Sequence, residues 1–282
     1  MRAAGYFLAC QCRPDGDLTV GYPGADVSTS ATISSIRWLS HRTLDVRLTP
    51  QGRFDYHPGQ FVTLLRTDDL LARSYSLASL PSDGELRLHV RHHPDGAMSG
   101  WLAEQAAPGE RLTVRGPYGD CFYLPGSPEQ PLLLVGTGTG LAPLYGILRD
   151  ALRHGHTGPI RLVHGAVDSR GLYLVDELAA LAAAAPNLDY RRCVLRADRA
   201  EPAGAAHTAD TPGMVADAHV GDLVEVVARL VPRPAGHRVF LCGDPETTHR
   251  LRRTLFLNGA SNRDIHLDAF TPPAPRPGVT GV

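Results

Sequence analysis

The segment Leu124–Pro131 (LPGSPEQP) splits the chain into two stretches that cannot share one architecture. Before it, apolar residues recur with a period near two. Thr43–Leu48 (TLDVRL), Gln60–Arg66 (QFVTLLR), Glu85–Arg91 (ELRLHVR) and Arg111–Arg115 are β-rich or alternating runs, parted by the turn signals HPGQ, LPSDGE and APGE. One short helix fits, around Met98–Glu104. Strands at this spacing predict an antiparallel barrel. After the segment, apolar runs alternate with helical periodicity. Leu132–Val135 (LLLV) reads as a strand buried on both faces, Leu141–Leu152 as a helix, Ile160–His164 as a strand, and Leu174–Ala184 as a helix. Leu188–Leu195, Val239–Cys242 and Asp264–Leu267 are further strands, with a helix over Pro245–Asn258. That order predicts a doubly wound parallel sheet. Pro202–Gly213 reads as a loop, and the tail TPPAPRPGVTGV as disordered.

The domains expected are a short leader and linker over 1–27, a barrel over 28–125, an α/β domain over 126–272 and a tail over 273–282. A length of 282 residues accommodates two such cores. All 28 basic residues are arginine, so neither a Schiff-base lysine nor a P-loop lysine is available. A formal net charge of -1 provides no global field for nucleic acid or anionic lipid. The five cysteines, at 10, 12, 121, 193 and 242, form no C-x-x-C pair, and the histidines lack metal-ligand spacing, so no metal site is expected. MRAAGYFLAC is too short for a signal peptide, and no apolar stretch is long enough to span a membrane. These features point to a cytoplasmic protein.

Four clusters carry chemistry. Arg73-Ser74-Tyr75-Ser76, read as the start of a strand, supplies a cation for phosphate, an aromatic face for a flat ring and hydroxyls for a heteroaromatic edge. Alternation sets Arg73 and Tyr75 on one side, Ser74 and Ser76 on the other. Gly96-Ala97-Met98-Ser99 enters the short helix, where backbone amides and Ser99 make an anion site, or Ser99 is a plain N-cap. Gly136-Thr137-Gly138-Thr139-Gly140 follows the LLLV strand, with Ala142-Pro143 in the next turn; glycines there admit a pyrophosphate or nicotinamide. The loop is not G-x-G-x-x-G, since residue 141 is leucine, which argues against an ordinary dehydrogenase. Cys242-Gly243-Asp244-Pro245 ends a later strand, where parallel sheets bind ligands.

Taken in this order, with Gly116–Gly119 (GPYG) between, the clusters resemble the ferredoxin–NADP⁺ reductase-like flavoproteins over roughly Ser28 to Phe270. The resemblance implies a six-stranded antiparallel flavin-binding barrel followed by a doubly wound NAD(P)-binding domain. It also implies roles. Arg73 would hold the FAD pyrophosphate, Tyr75 would pack on the isoalloxazine and Ser76 would lie near its N5; Ser74 belongs to the same motif. Backbone of His89, Val90 and Arg91 would line the flavin, and Gly96, Met98 and Ser99 would bind its phosphates. Thr137 with Gly136, Gly138, Thr139, Gly140 and Pro143 would receive NADH or NADPH. Cys242 would sit near the nicotinamide, with Gly243, Pro245, His164, Gly165 and Asp244 lining the same groove. Ser76, Thr137 and Cys242 are the residues assigned to catalysis. Phe270 would cover the flavin, as in the oxygenase-reductase branch. Asp268 matches an acidic position of plant-type relatives, or is an ordinary edge-strand residue.

The first residues, GYFLACQCRPDGDLTV, resemble the last strand of a plant-type 2Fe–2S ferredoxin domain, with Cys10 as its fourth thiolate. The other three cysteines are absent upstream, so no 2Fe–2S cluster is expected in this chain as given. The reading implied is a reductase component of an oxygenase system: hydride passes from nicotinamide C4 to flavin N5, then single electrons to an iron–sulfur partner or oxygenase component. Two alternatives stand beside it, a free-flavin or quinone reductase without a protein acceptor and a non-catalytic redox sensor. Arg196 would suit a 2′-phosphate, but Leu195 replaces the serine expected beside it and Asp168 suits a ribose 2′-hydroxyl, which favours NADH.

Overall fold

The computed structural model describes residues 27–66, 68, 69, 71–197 and 218–271. The ferredoxin-like leader, the loop at Pro202–Gly213 and the tail over 273–282 lie outside the described residues.

The first half contains strands β1 (Val27–Ser40), β2 (Thr43–Pro50), β3 (Phe61–Arg66), β4 (Ala72–Ser76), β5 (Leu86–Arg91) and β6 (Arg111–Tyr118), with helix α1 (Ala97–Glu104) before β6. They pair antiparallel in the order β4-β3-β6-β1-β2-β5. The two outer strands meet through a bridge between Leu77 and Leu88, and the Ala78 N–H donates to the Arg87 carbonyl at 2.8 Å. The six-stranded barrel is therefore present. Alternation decides what fills it: Leu44, Val46, Leu48, Val62, Leu64, Leu86, Leu88 and Val90 pack inward with Met98 and Leu102 of α1. Each such side chain contributes roughly 1.5–3 kcal/mol on burial.

β1, fourteen residues long, was not among the strands read from periodicity. Register shifts against β2 between Ile33 and Ser35 and between Trp38 and Ser40 break its period of two, which hides it from a pattern reading. The motif at 73–76 does not begin a longer strand. It makes up nearly all of β4, which stops at Ser76.

The second half alternates β7 (Leu132–Thr137), α2 (Leu141–Arg153), β8 (Ile160–Ala166), α3 (Val175–Ala184), β9 (Leu188–Val194), β10 (His219–Val220), α4 (Leu223–Leu230), β11 (Arg238–Gly243), α5 (Pro245–Leu257) and β12 (Ile265–Ala269). All strands are parallel, in the order β10-β9-β8-β7-β11-β12. Successive residues of β7 are buried on opposite faces, Leu132 and Leu134 in one cluster, Leu133 and Val135 in another, so the LLLV run is apolar throughout. Helix α4, absent from the sequence reading, starts where Asp222 accepts the Val224 N–H at 2.8 Å. Helix α3 starts one residue later than periodicity suggests, because Leu174 holds a positive φ of 54°. The chain turns in opposite directions from β7, toward β8 on one side and β11 on the other. That reversal opens a crevice at the carboxyl ends of β7 and β11.

Candidate active site

The crevice and the barrel wall together enclose a cleft of about 1620 Å³. This exceeds the ~300–1,000 Å³ of a site for one drug-sized ligand, leaving room for two extended nucleotides. From the barrel side Arg73, Ser74, Tyr75, Ser76, His89, Arg91, Gly96, Met98 and Ser99 line it. From the other side come Thr137, Gly138, Thr139, Gly165, Asp244, Pro245 and Phe270. Residues separated by nearly 200 positions in sequence thus face one space. The remaining sequence-derived candidates do not form its wall. Val90 is in the barrel core, and Gly136, Gly140, Pro143, His164, Cys242 and Gly243 are buried beneath the surface.

The two glycine-bearing loops are packed onto each other. A Cβ at Gly140 would collide with the Cys242 carbonyl oxygen and lie 2.5 Å from its carbonyl carbon, so only glycine lets α2 approach β11 this closely. At Gly138, φ is 55° and a Cβ would meet nothing nearer than Arg91 Nη1 at 3.9 Å; the missing side chain leaves that wall open to a ligand. Thr137 Oγ1 accepts the Asp244 N–H at 2.8 Å and ties the loops together. The Asp244 carboxylate accepts from the Thr247 N–H at 2.9 Å and the Thr247 hydroxyl at 2.8 Å, capping α5. Phe270 is anchored by its N–H to the Gly243 carbonyl at 2.8 Å.

Across the cleft, Ser76 Oγ donates to Asp268 Oδ2 at 3.2 Å. This bond joins the end of β4 to β12 and spans the two halves. Burial pushes the Asp268 carboxyl above its ordinary range, the Ser76 bond only partly offsetting it, and the Asp120 carboxylate adds to the rise. Asp268 thus lines the cleft, although its strand is the sheet edge. Its signal in the sequence was one acid two positions before Phe270, too little to weigh by spacing.

Other candidates are engaged locally. Ser99 is not the N-cap of α1, which is Gly96; its hydroxyl accepts the His93 N–H at 3.1 Å and shapes the turn. Arg73 Nη1 donates to the Ala72 carbonyl at 2.7 Å. Cys242 is fully buried, its Sγ 3.8 Å from Cys121 Sγ, and burial drives its thiol pKa well up. The structure does not bring that thiol to the cleft surface.

Beneath the cleft, polar residues that alternation directs out of the barrel are covered by the second half. Asp45 is fully buried; it accepts from Arg87 Nε and Arg37 Nε, each at 2.9 Å. Burial alone would raise its pKa, but Arg87, followed by Arg37, holds it below the usual carboxylate range. Arg87 Nη1 lies 3.8 Å from Glu177 of α3 and over the Tyr145 ring of α2, and Tyr145 donates to Glu177. Burial and Glu177 push Tyr145 up to about 12. These interdomain residues were invisible to pattern reading, which treats outward polar positions on a strand as solvated.

Among the described residues no group of His, Cys, Asp and Glu could hold a metal ion, and no helix is long and apolar enough to cross a membrane.

Residues 30–123 match the family described as oxidoreductase FAD-binding domain, and residues 134–252 match oxidoreductase NAD-binding domain. The chain is 32% identical over 274 residues to the reductase component, ferredoxin–NAD(P)⁺, of naphthalene 1,2-dioxygenase/salicylate 5-hydroxylase systems from Ralstonia sp., covering 95% of this chain and 78% of that one. It is 33% identical over 285 residues to an aromatic O-demethylase reductase subunit from Amycolatopsis sp., covering 96% and 80%. A crystal structure of an Amycolatopsis cytochrome P450 reductase superposes with a TM-score of 0.78 at 30% identity, covering 96% of this chain and 80% of that one.

Proposed function

The chain belongs to the ferredoxin reductase-like family of FAD- and NAD-binding oxidoreductases, and on that premise we propose that it is the reductase component of an oxygenase system, passing electrons from NADH to an iron–sulfur or oxygenase partner protein. One observation carries the reading: the cleft brings the 73–76 motif of β4 and the glycine loops at the carboxyl ends of β7 and β11 onto one space, clasped by the Ser76–Asp268 bond.

The residues fit the two cofactors. The volume suffices for both, Gly138 leaves its wall open, and the Arg73 guanidinium supplies a cation where a pyrophosphate would lie. Bound FAD accepts a hydride and releases its electrons singly, which converts a two-electron donor into a one-electron supply. The chain's own work is binding and alignment. Tyr75 would offer its ring as a flat support for FAD, and Gly96 with the amides entering α1 would hold its phosphates. Thr137 and Gly138 would border the nicotinamide nucleotide, and Phe270 would close the other side against water. Ser76 holds its hydroxyl toward Asp268, whose raised pKa suits it to keep a proton close to the reacting rings. Cys242 backs the site through its carbonyl contact with Gly140 and not through an exposed thiol.

NADH is favoured over NADPH because the Asp168 carboxylate and the exposed Leu195 line the cleft at the ends of β8 and β9 and Asp168 holds the neighbouring Arg170 at 2.9 Å, whereas a 2′-phosphate requires cations or hydroxyls to meet it. The need for reduced nicotinamide nucleotide and the free thiols Cys121 and Cys242 support work in a reducing, cytoplasmic compartment.

The test is anaerobic stopped-flow absorbance of FAD-loaded protein mixed with NADH and, separately, NADPH. Rapid bleaching of the flavin's visible band by NADH is expected, with slower bleaching by NADPH. Flavin that binds yet is bleached by neither nucleotide overturns the reading in favour of a redox sensor. Electron delivery to cytochrome c that depends on added ferredoxin separates a protein-directed reductase from a free-flavin or quinone reductase.

A further inference from the structure

Strand β5 carries Arg87 and His89 away from the barrel core, and the second half closes over both. Against His89 stands Tyr173, from the segment joining β8 to α3. It is 2% exposed. Its hydroxyl lies 3.2 Å from His89 Nδ1, and its ring meets the imidazole edge-on, centroids 5.2 Å apart at 89°. Its ring also meets His164 of β8 edge-on, at 5.4 Å and 84°. One tyrosine ring thus touches two imidazoles, one from each half of the molecule.

The same spot concentrates local costs. Nε2 of His89 and Nε2 of His164 are buried without a hydrogen-bond partner among the described residues. Leu174, next to Tyr173, is the one non-glycine residue among those described with a positive φ. Buried unpaired nitrogens and left-handed backbone at a leucine are features that folding alone selects against. Burial and Arg87 push the His89 pKa down to about 3, and burial does the same for His164, so both rings are neutral. Burial drives the Tyr173 pKa far up, so its hydroxyl stays protonated, and it shares with His89 Nδ1 one hydrogen bond whose direction follows the imidazole tautomer. No charge attraction holds this contact. It is a shape-defined joint.

Its two ends lead to the two walls of the cleft. His89 is on the cleft wall and precedes Arg91, which also lines it. His164 is paired in register with Gly136, the first residue of the glycine-rich loop, and is followed by Gly165 on the cleft wall. We propose that Tyr173 is a positioning residue for hydride transfer, a pin between His89 and His164 that fixes the barrel wall against the glycine-rich loop. This rests on the reductase reading above. Two rings must stack at reacting distance across the interface, and an error near 1 Å in such an alignment costs about 100-fold in rate. Loosening the pin therefore slows the hydride step without weakening either cofactor's own binding contacts.

The experiment uses the FAD-loaded full chain. Tyr173→Phe keeps the ring and removes the hydroxyl bond. FAD and NADH dissociation constants, the first from flavin fluorescence quenching, are expected within about twofold of wild type. The limiting rate of flavin reduction is expected to fall about tenfold, part of the misalignment penalty above. His89→Leu breaks the same bond from the barrel side and serves if Tyr173→Phe does not fold. The pin requires that the double variant lose no more rate than the larger single loss, since both changes remove one joint. A Tyr173→Phe reduction rate within twofold of wild type overturns the proposal, as do losses that multiply in the double variant. So does a rate loss accompanied by an equal loss of FAD affinity, which marks a merely structural role. If wild-type flavin is not reduced at all, the reductase reading fails instead, and the binding constants show that separately.

Discussion

Asp45→Asn is the sharpest probe of the buried charge cluster on the barrel wall that the second half covers. Asp45 is fully buried between Arg37, Arg47 and Arg87, and Arg87 has only 9% of its side chain exposed. The amide is nearly isosteric and retains one acceptor, so the loss is chiefly that of the charge opposite Arg87. Removing one member of a buried ion pair leaves the other charge uncompensated and typically costs ~3–5 kcal/mol. With Arg37 and Arg47 partly solvated, the lower end applies, about 3 kcal/mol, an appreciable part of the ~5–15 kcal/mol that holds a domain folded. The assay is urea unfolding followed by tryptophan fluorescence. Both tryptophans of the chain, Trp38 and Trp101, are in the barrel half, so the signal reports that half. The sign with pH follows from the lowered pKa of Asp45. A carboxylate held below its unfolded value contributes stability above that value and loses it as pH falls through the folded one. The gap between wild type and variant should be flat across neutral pH and shrink below about pH 4. Asp55→Asn, at the exposed Arg53–Asp55 pair, should leave the midpoint unchanged. Replacing both partners, Asp45→Leu with Arg87→Met, should recover most of the loss, because the penalty lies in the orphaned charge. A midpoint for Asp45→Asn indistinguishable from wild type at pH 7 would refute the reasoning.

Three further outcomes follow from the site. Arg73→Ala should weaken FAD binding roughly 10- to 100-fold, the equivalent of the ~1.5–3 kcal/mol of charged hydrogen bonds, with the apoprotein melting temperature unchanged; a fluorescence titration with an unaltered dissociation constant contradicts the assignment. Gly140→Ala places a methyl 2.5 Å from the Cys242 carbonyl carbon and 2.8 Å from Gly243 Cα, backbone atoms that cannot swing aside. It should destabilise the second half by about 1–3 kcal/mol and weaken NADH binding while leaving FAD affinity intact, as calorimetry and titration would show. Asp268→Asn should raise the melting temperature at pH 7.5, because a carboxyl whose folded pKa is raised loses stability as pH climbs through the unfolded and then the folded value. It should also slow flavin reduction in stopped flow; a variant both less stable and equally fast defeats both halves of that statement.

The fold was legible where periodicity and burial coincide. LLLV is buried on both faces and reads as such, and the β5 run alternates as a barrel strand must. It was illegible where register breaks. The bulges of β1 interrupt alternation, so fourteen residues of strand left no pattern to find. Within the site, the glycine loop and the 73–76 motif announced themselves because phosphate and flat-ring chemistry need distinctive residue types close together. Asp268 and Tyr173 did not. Each owes its role to a partner in the other half of the chain, Ser76 at 192 positions' separation and His89 at 84. Cys242 stood out by its place in a recognisable cluster, and the structure buries its thiol against Cys121 while its backbone carbonyl packs on Gly140.

Asp45 and Asp268 are the same residue type, both largely out of solvent, and their environments move them in opposite directions. Asp45 has arginines on several sides and is held ionised; it is spent on the arginines of the barrel wall, of which Arg87 reaches Glu177 of α3. Asp268 has a neutral hydroxyl at 3.2 Å and another carboxylate in range, and is pushed toward its protonated form. A protein assembled for stability alone would give the second aspartate a cation as well, and 28 arginines were available to supply one. Arginines do line the cleft, but none is paired with Asp268, whereas Asp45 beneath the barrel wall has several. That division of charge, more than any single motif, separates the part of the interface that holds the two halves in place from the part that works between them.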